Sequence, residues 1–143
     1  MKIQRLISKL EKHHKKKLDL SLGRTFNLLK KLGNPQDKLK NIVTVVGTNA
    51  KASMCYSLKS ILNQAGYKTN LYTSPHLLSY TERYVFNDKE INEEDLIELL
   101  TDVEKILGDD NATLFEILTC AFIKLAENFK DNMNIIEAGL FHQ

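Results

Sequence analysis

Apolar residues recur at helical spacing near the start of the chain, at Ile3, Leu6, Ile7 and Leu10, so residues 2–12 are expected to form a short amphipathic helix. Lys12–Lys17 (KHHKKK) then breaks the pattern with charge. A second helix is expected from Leu22, Phe26, Leu29 and Leu32. Gly33-Asn34-Pro35 stops it: glycine takes positive φ easily, and proline cannot continue a helix. Ile42–Val46 (IVTVV) is short, β-branched and unbroken, the pattern of a strand buried on both faces. Leu58, Ile61, Leu62 and Ala65 then mark one face of a helix closed by Gly66, and Thr69–Thr73 (TNLYT) reads as a second strand. Ser74–Asn87 reads as a long irregular stretch containing Pro75, with a turn at Asn87-Asp88.

The remaining pattern is strongly helical until its last segment. Asn92 is a good N-cap, followed by Glu93, Glu94 and Asp95 where the helix dipole favours anions, and by a stripe of Leu96, Leu99, Leu100, Val103 and Leu107. Thr113-Leu114-Phe115-Glu116 matches a capping box and opens a further stripe, Leu114, Leu118, Ala121, Phe122, Leu125 and Phe129. Met133–Ile136 (MNII) reads as a third buried strand that ends in Glu137-Ala138-Gly139. Strands alternating with helices imply an open, mostly parallel α/β sheet, whose ligands bind beyond the carboxyl ends of the strands. Three features fall at such ends: the Gly47–Ser53 loop, Ser74-Pro75-His76, and Glu137.

Composition narrows the setting. A chain of 143 residues with 43% hydrophobic content can bury an ordinary core. No apolar run approaches the roughly 18–20 residues that span a bilayer, and the basic start lacks the apolar region of a signal peptide, so cytoplasm is expected. Cys55 and Cys120 have no CxxC partner and each falls on an apolar helix face, so both read as reduced and structural, without zinc spacing. The net charge of +2 hides an asymmetry: residues 1–40 hold twelve lysines or arginines against three acids, and the rest holds eight against fifteen. The basic segment reads as a solvated helix face; contact with RNA or another anionic partner is the alternative, and no RNA-binding motif accompanies it. His13 and His14 are poor metal ligands inside a lysine run, because the surrounding charge repels a cation.

The strand ends carry the candidate chemistry. Val45–Met54 (VVGTNAKASM) has the outline of a phosphate loop, with backbone N–H groups and a helix N-terminus placed to receive an anion. Lys51 would pair with the β- and γ-phosphates, and the Ser53 hydroxyl would approach Mg²⁺ or a phosphate oxygen. The strict GxxxxGK[ST] spacing is not met. Glu137, at the end of a buried strand, suits a Mg²⁺ ligand or a water-orienting carboxylate; capping a helix or pairing with a lysine is the competing role. His76 reads either as a ligand contact or as a loop histidine with a local hydrogen bond.

The segments GTNAKAS, AGYKTNLYTSPHLLSYTERYVFNDKEI, TLFEILTCAFIKLAE and NIIEAGL together resemble the folylpolyglutamate synthase/dihydrofolate synthase family of Mur-ligase-like, ATP-dependent amide ligases. DLSLGRTFNLLKKLGNP resembles the same family's N-terminal region, so the resemblance runs from about Asp19 to Leu140. It implies a P-loop NTPase-like, mostly parallel sheet flanked by helices, of the Mur-ligase central-domain type and truncated. Residues 1–18 are then a basic N-terminal helix, and 19–143 an incomplete ATP-binding α/β domain without the glutamate-binding C-terminal domain. The implied reaction joins L-glutamate to dihydropteroate or folate through an acyl phosphate made from ATP, with Mg²⁺, in an enzyme that is monomeric at full length.

By position, the resemblance implies that Gly47, Thr48, Asn49, Ala50, Lys51, Ala52 and Ser53 hold the ATP phosphates, with Lys51 catalytic. It further implies that Ser74 and Glu137 bind the metal, and that Asp19-Leu20-Ser21 and Thr113-Leu114-Phe115-Glu116 line the pterin site. Two departures stand out. The family loop reads GTNGKGS, whereas Ala50 and Ala52 stand here; if position 50 needs positive φ, alanine costs about 1–2 kcal/mol there, and weakened or retuned ATP affinity is expected. The family also continues past E-x-G-L with GGR-x-D-x-TN, where Phe141-His142-Gln143 stands here, so the isolated chain is expected to lack ligase activity. A degenerate, non-catalytic nucleotide-binding module is the competing reading.

Overall fold

The computed structural model describes residues 2–14 and 22–139. In chain order its elements are α1 (Lys2–His13), α2 (Gly23–Lys31), β1 (Ile42–Val45), α3 (Lys51–Gln64), β2 (Thr69–Tyr72), β3 (Tyr84–Phe86), β4 (Lys89–Glu90), α4 (Glu93–Leu107), α5 (Leu114–Ala126) and β5 (Met133–Glu137), with 3-10 turns at Pro35–Lys38 and Tyr80–Arg83. They form two compact units. One holds the described residues up to Lys38 together with Asn92–Glu127; the other holds Leu39–Ile91 and the described residues from Asn128 to Gly139.

The helical unit starts its two long helices where the capping residues direct. Asn92 Oδ1 accepts from the Asp95 N–H at 2.8 Å ahead of α4. Ahead of α5, the Thr113 hydroxyl accepts from the Glu116 N–H at 3.2 Å while Glu116 Oε2 accepts from the Thr113 N–H at 2.6 Å, a complete capping box. Ile3, Ile7 and Leu10 of α1, Leu28 and Leu29 of α2, Leu96, Leu100, Val103 and Leu107 of α4, and Ile117, Leu118 and Phe122 of α5 supply its buried apolar faces. The α2 stripe departs from expectation: Leu22 and Phe26 are exposed, and the buried side is carried by Leu28, Leu29 and Leu32. The Lys12–Lys17 run is described only as far as His14, and the exposed side chains of His13 and Lys9 turn toward Glu104.

The second unit is a five-stranded sheet in the order β1-β5-β2-β3-β4. β5, last in sequence, lies between β1 and β2 and runs parallel to both; β3 and β4 add an antiparallel hairpin on the β2 side. The fold is thus α/β with a parallel centre. The hairpin corrects the expectation that Ser74–Asn87 is irregular: the Asn87-Asp88 turn is present, with strands on both sides of it. β3 is three residues long and lacks an alternating pattern, because all three of its residues are buried. β1 corrects another expectation. It lies at the sheet's edge, its residues alternate between exposed and half-buried, and Val46 just beyond it is 62% exposed.

Helix α3 covers one face of this sheet, where Cys55, Leu71, Val85 and Ile135 are buried against Val45, Leu58 and Leu62. Ile61 of its expected apolar face is exposed. Cross-strand asparagines bind the amino-terminal ends of the central strands. Asn70 Nδ2 donates to Asn134 Oδ1 at 2.9 Å, Asn132 Nδ2 to Asn70 Oδ1 at 2.8 Å, and Asn134 Nδ2 to the Lys40 carbonyl at 2.9 Å. A buried polar group this well satisfied fixes register, since a slip by one residue would leave several amides unpaired.

Candidate functional site

Parallel register brings the three candidate strand ends to one level. Val45 is opposite Glu137, and Ile136 is opposite Tyr72, so the loops after β1 and β2 leave on either side of the last residue of β5. Glu137 is 5% exposed, and its Oε2 accepts from the Ser74 N–H at 2.9 Å. This bond is neither the helix cap nor the lysine pair weighed as alternatives for Glu137. The second Glu137 oxygen and the Ser74 hydroxyl have no hydrogen-bond partner among the described residues. The two therefore present hard oxygen donors from adjacent strand ends, the ligand chemistry that suits Mg²⁺.

The loop after β1 is shaped by its backbone. Gly47 has φ of 150° and Ala50 has φ of 60° with ψ of 16°, in the left-handed region. Five described residues other than glycine have positive φ; four are asparagine or aspartate, which tolerate it, and Ala50 is the exception. The demand for positive φ at position 50 is therefore real, and alanine bears it as strain. Ala50 is also the N-cap of α3 with no side chain to cap it, leaving the first-turn N–H groups for an anion. Lys51 Nζ donates to the Gly47 carbonyl at 2.9 Å, folding the ammonium over the loop. Ala52 and Ser53 lie exposed on the first turn of α3. Cys55 is fully buried one turn below; burial first, then the Glu137 carboxylate, push its thiol up to about 11, with Lys51 opposing. It is an inert thiol, as is Cys120, pushed up to about 12 mainly by burial.

The loop after β2 is held by side chains. The Ser74–Pro75 peptide is cis. Glu82 accepts from the N–H groups of Leu77, Leu78 and Ser79 at 2.9, 2.8 and 2.7 Å. These three bonds hold its carboxyl below the usual carboxylate range, the Leu77 N–H contributing most. Arg83 Nε donates to His76 Nδ1 at 3.0 Å, and the guanidinium lies 4.9 Å over the Tyr80 ring. His76 packs on Tyr80 with centroids 4.1 Å apart, and partial burial followed by the Arg83 charge lower its pKa. The local hydrogen bond considered for His76 is thus present. Glu82 and Arg83 were not anticipated, although Ser79-x-x-Glu82 is the same capping-box signal that marked Thr113–Glu116.

The Thr113–Glu116 segment belongs to the helical unit and is described there. Both Glu116 oxygens are engaged, by the Thr113 N–H and by Arg24, whose Nη2 donates to Oε1 at 3.0 Å. Phe115 is 44% exposed beside it. Asp19, Leu20 and Ser21 lie outside the described residues, as do Leu140–Gln143. An open depression of about 540 Å³ runs along α1, lined by Gln4, Arg5, Ser8, Lys9, Lys12 and His13. These six residues come from one helix, and two of them, Lys9 and His13, turn toward Glu104, whereas the strand ends combine a helix N-terminus, a lysine and a buried carboxylate. The strand ends are the candidate site.

A parallel sheet with a strand–loop–helix at its carboxyl edge, and a carboxylate ending the neighbouring strand, defines a P-loop-type α/β domain of the Mur-ligase kind. Compared with models of protein families, the chain matches none. It is 37% identical to the dihydrofolate synthase/folylpolyglutamate synthase of Escherichia coli K12 over 134 residues, covering 94% of this chain and 32% of that protein. Its structure superposes on Escherichia coli FolC in complex with DHPP and ADP with a TM-score of 0.89 at 35% identity, over 98% of this chain and 34% of that one. It likewise superposes on the bifunctional enzyme of Yersinia pestis complexed with AMPPNP and Mn ion, with a TM-score of 0.88 at 33% identity, over 96% of this chain and 33% of that one. The chain belongs to the folylpolyglutamate synthase/dihydrofolate synthase family, and it spans about a third of the length of these relatives.

Proposed function

We propose that the chain is the ATP-binding portion of a ligase that joins L-glutamate to dihydropteroate or folate. In that reaction the γ-phosphoryl group of ATP passes to the substrate carboxylate, and the amine of L-glutamate displaces phosphate from the acyl phosphate to form the amide. The observation that carries this reading is the shared level of the Gly47–Lys51 loop, Ser74 and Glu137 at the carboxyl ends of adjoining parallel strands. Gly47–Ser53 would wrap the phosphates with backbone N–H groups, and Lys51 would leave the Gly47 carbonyl to pair with them. Ser74 and Glu137 would hold Mg²⁺, which on binding neutralises phosphate charge. Thr113, Leu114, Phe115 and Glu116, with Asp19, Leu20 and Ser21, would line the pterin site. Within that set Phe115 offers an exposed ring, and the engaged carboxylate of Glu116 shapes the turn.

Ligase turnover is assigned to the full-length protein, with cytoplasm as its compartment; no helix of the described residues is long and apolar enough to cross a membrane. Strain at Ala50 favours a second reading, a nucleotide-binding module of reduced affinity. Calorimetric titration of the chain with Mg-AMPPNP tests the first: Lys51→Ala is expected to weaken binding by at least tenfold, as loss of a charge-assisted contact of about 1.5–3 kcal/mol implies. Equal binding by both chains overturns the assignment.

A further inference from the structure

The loop between β2 and β3 contains a donor that no described residue uses. His76 follows Ser74-Pro75 at the strand ends, and its Nδ1 accepts from Arg83 Nε at 3.0 Å. A ring nitrogen that accepts from a guanidinium carries no proton, because arginine has only donors to offer. The ring proton is therefore on Nε2, which has no hydrogen-bond partner among the described residues. The surroundings fix the ring as well as its tautomer. Tyr80 packs against one side, Arg83 lies over the same Tyr80, and Glu82 pins the intervening backbone by three N–H bonds. This is costly machinery for a histidine with only a local role: six side-chain contacts orient one unspent N–H, two residues from the Ser74–Glu137 bond.

We propose that His76 is a fixed Nε2–H donor to an anionic oxygen of the ligand bound at the strand ends, and that Arg83 is the positioning residue that sets its tautomer. The inference rests on the functional reading above and adds a residue to it. The oxygen belongs either to the nucleotide's terminal phosphate or to the carboxylate of the second substrate. A preoriented donor loses little freedom when it binds, so its removal shows in affinity rather than in fold.

Two measurements test it at pH 7. Imidazole ¹⁵N spectra of the chain should show His76 protonated at Nε2 and bare at Nδ1, and Arg83→Gln should convert this to a mixture of tautomers. A His76 that is protonated at Nδ1, or already mixed in the wild type, overturns the proposal. Binding of Mg-AMPPNP and, separately, of dihydropteroate is then compared among wild type, His76→Gln and His76→Asn. Glutamine places an N–H near the Nε2 position and asparagine does not. About a tenfold loss for one ligand in His76→Asn, restored in His76→Gln, is expected for a single hydrogen bond to a charged group, and the ligand affected identifies the oxygen. Wild-type affinity for both ligands in His76→Asn overturns this inference alone. A wild type that binds neither ligand overturns the functional reading and this inference with it.

Discussion

Two loops leave the same carboxyl edge of the sheet and are held by different means. The loop after β1 is kept by backbone: positive φ at Gly47 and Ala50, the start of α3, and one lysine bonded to the loop's own carbonyl. The loop after β2 is kept by side chains: a glutamate on three N–H groups, an arginine on a histidine, and a tyrosine packed against both. The first leaves the N–H groups at the start of α3 without a side-chain cap among the described residues, which is what an anion requires. The second spends nearly all of its groups and so presents fixed positions, among them Leu77 and Leu78, 93% and 86% exposed at its tip. A receptor for a variable, multiply charged ligand and a rigid positioning element have opposite needs, and the two loops divide them.

The loops share a floor, and breaking it should have the largest effect. Leu71 of β2 is 1% exposed and is buried with Cys55, Val85 and Ile135 beneath both. Leu71→Ala is expected to cost about 2–5 kcal/mol of unfolding free energy, the usual range for a buried leucine that leaves a cavity. Denaturant titration measures it, and hydrogen exchange should quicken in both loops together. Protection lost in one loop alone would show that the floor is not shared.

The next effect separates the loops. Ala50→Gly removes a methyl group from a residue at φ of 60° and is expected to stabilise the chain by about 1 kcal/mol, the left-handed penalty less the entropy that glycine adds. Affinity for Mg-AMPPNP should rise, and exchange in Leu77–Ser79 should not change. Unchanged stability would mean that the α3 start accommodates alanine without strain.

This residue also marks how far the sequence could be read. The alternation of strands and helices, the Thr113–Glu116 capping box and the three strand ends were legible because each depends on neighbours a few residues apart. The conformational demand at position 50 was legible too, from one alanine in a glycine position. β3 was not: Tyr84-Val85-Phe86 becomes a strand by pairing with Leu71 and its neighbours across the sheet, and no local period announces that. Ile42–Val46 misled for the same reason, since a β-branched run looks alike at the centre and at the edge of a sheet. The Arg83–His76 bond was hidden because a side-chain pair seven residues apart in a loop follows no fixed spacing.

The smallest effect concerns the second loop alone. Glu82 is half-buried, and its three N–H bonds all lie within one surface loop, so they order that loop without adding much to global stability. Glu82→Gln keeps one acceptor oxygen in place of two and removes the charge. Amide exchange at Leu77, Leu78 and Ser79 should accelerate severalfold while the unfolding midpoint stays within about 0.5 kcal/mol of wild type. The pH dependence has a definite sign. Because the folded-state pKa of Glu82 is depressed, the ordering it provides is complete above its unfolded-state pKa and fades as pH falls through the folded value. Wild-type exchange, corrected for the intrinsic rate, should therefore approach that of Glu82→Gln under acid conditions, with the loop after β1 unaffected. Protection in Leu77–Ser79 that survives both the substitution and acid would assign the loop's rigidity to the His76–Tyr80–Arg83 stack instead.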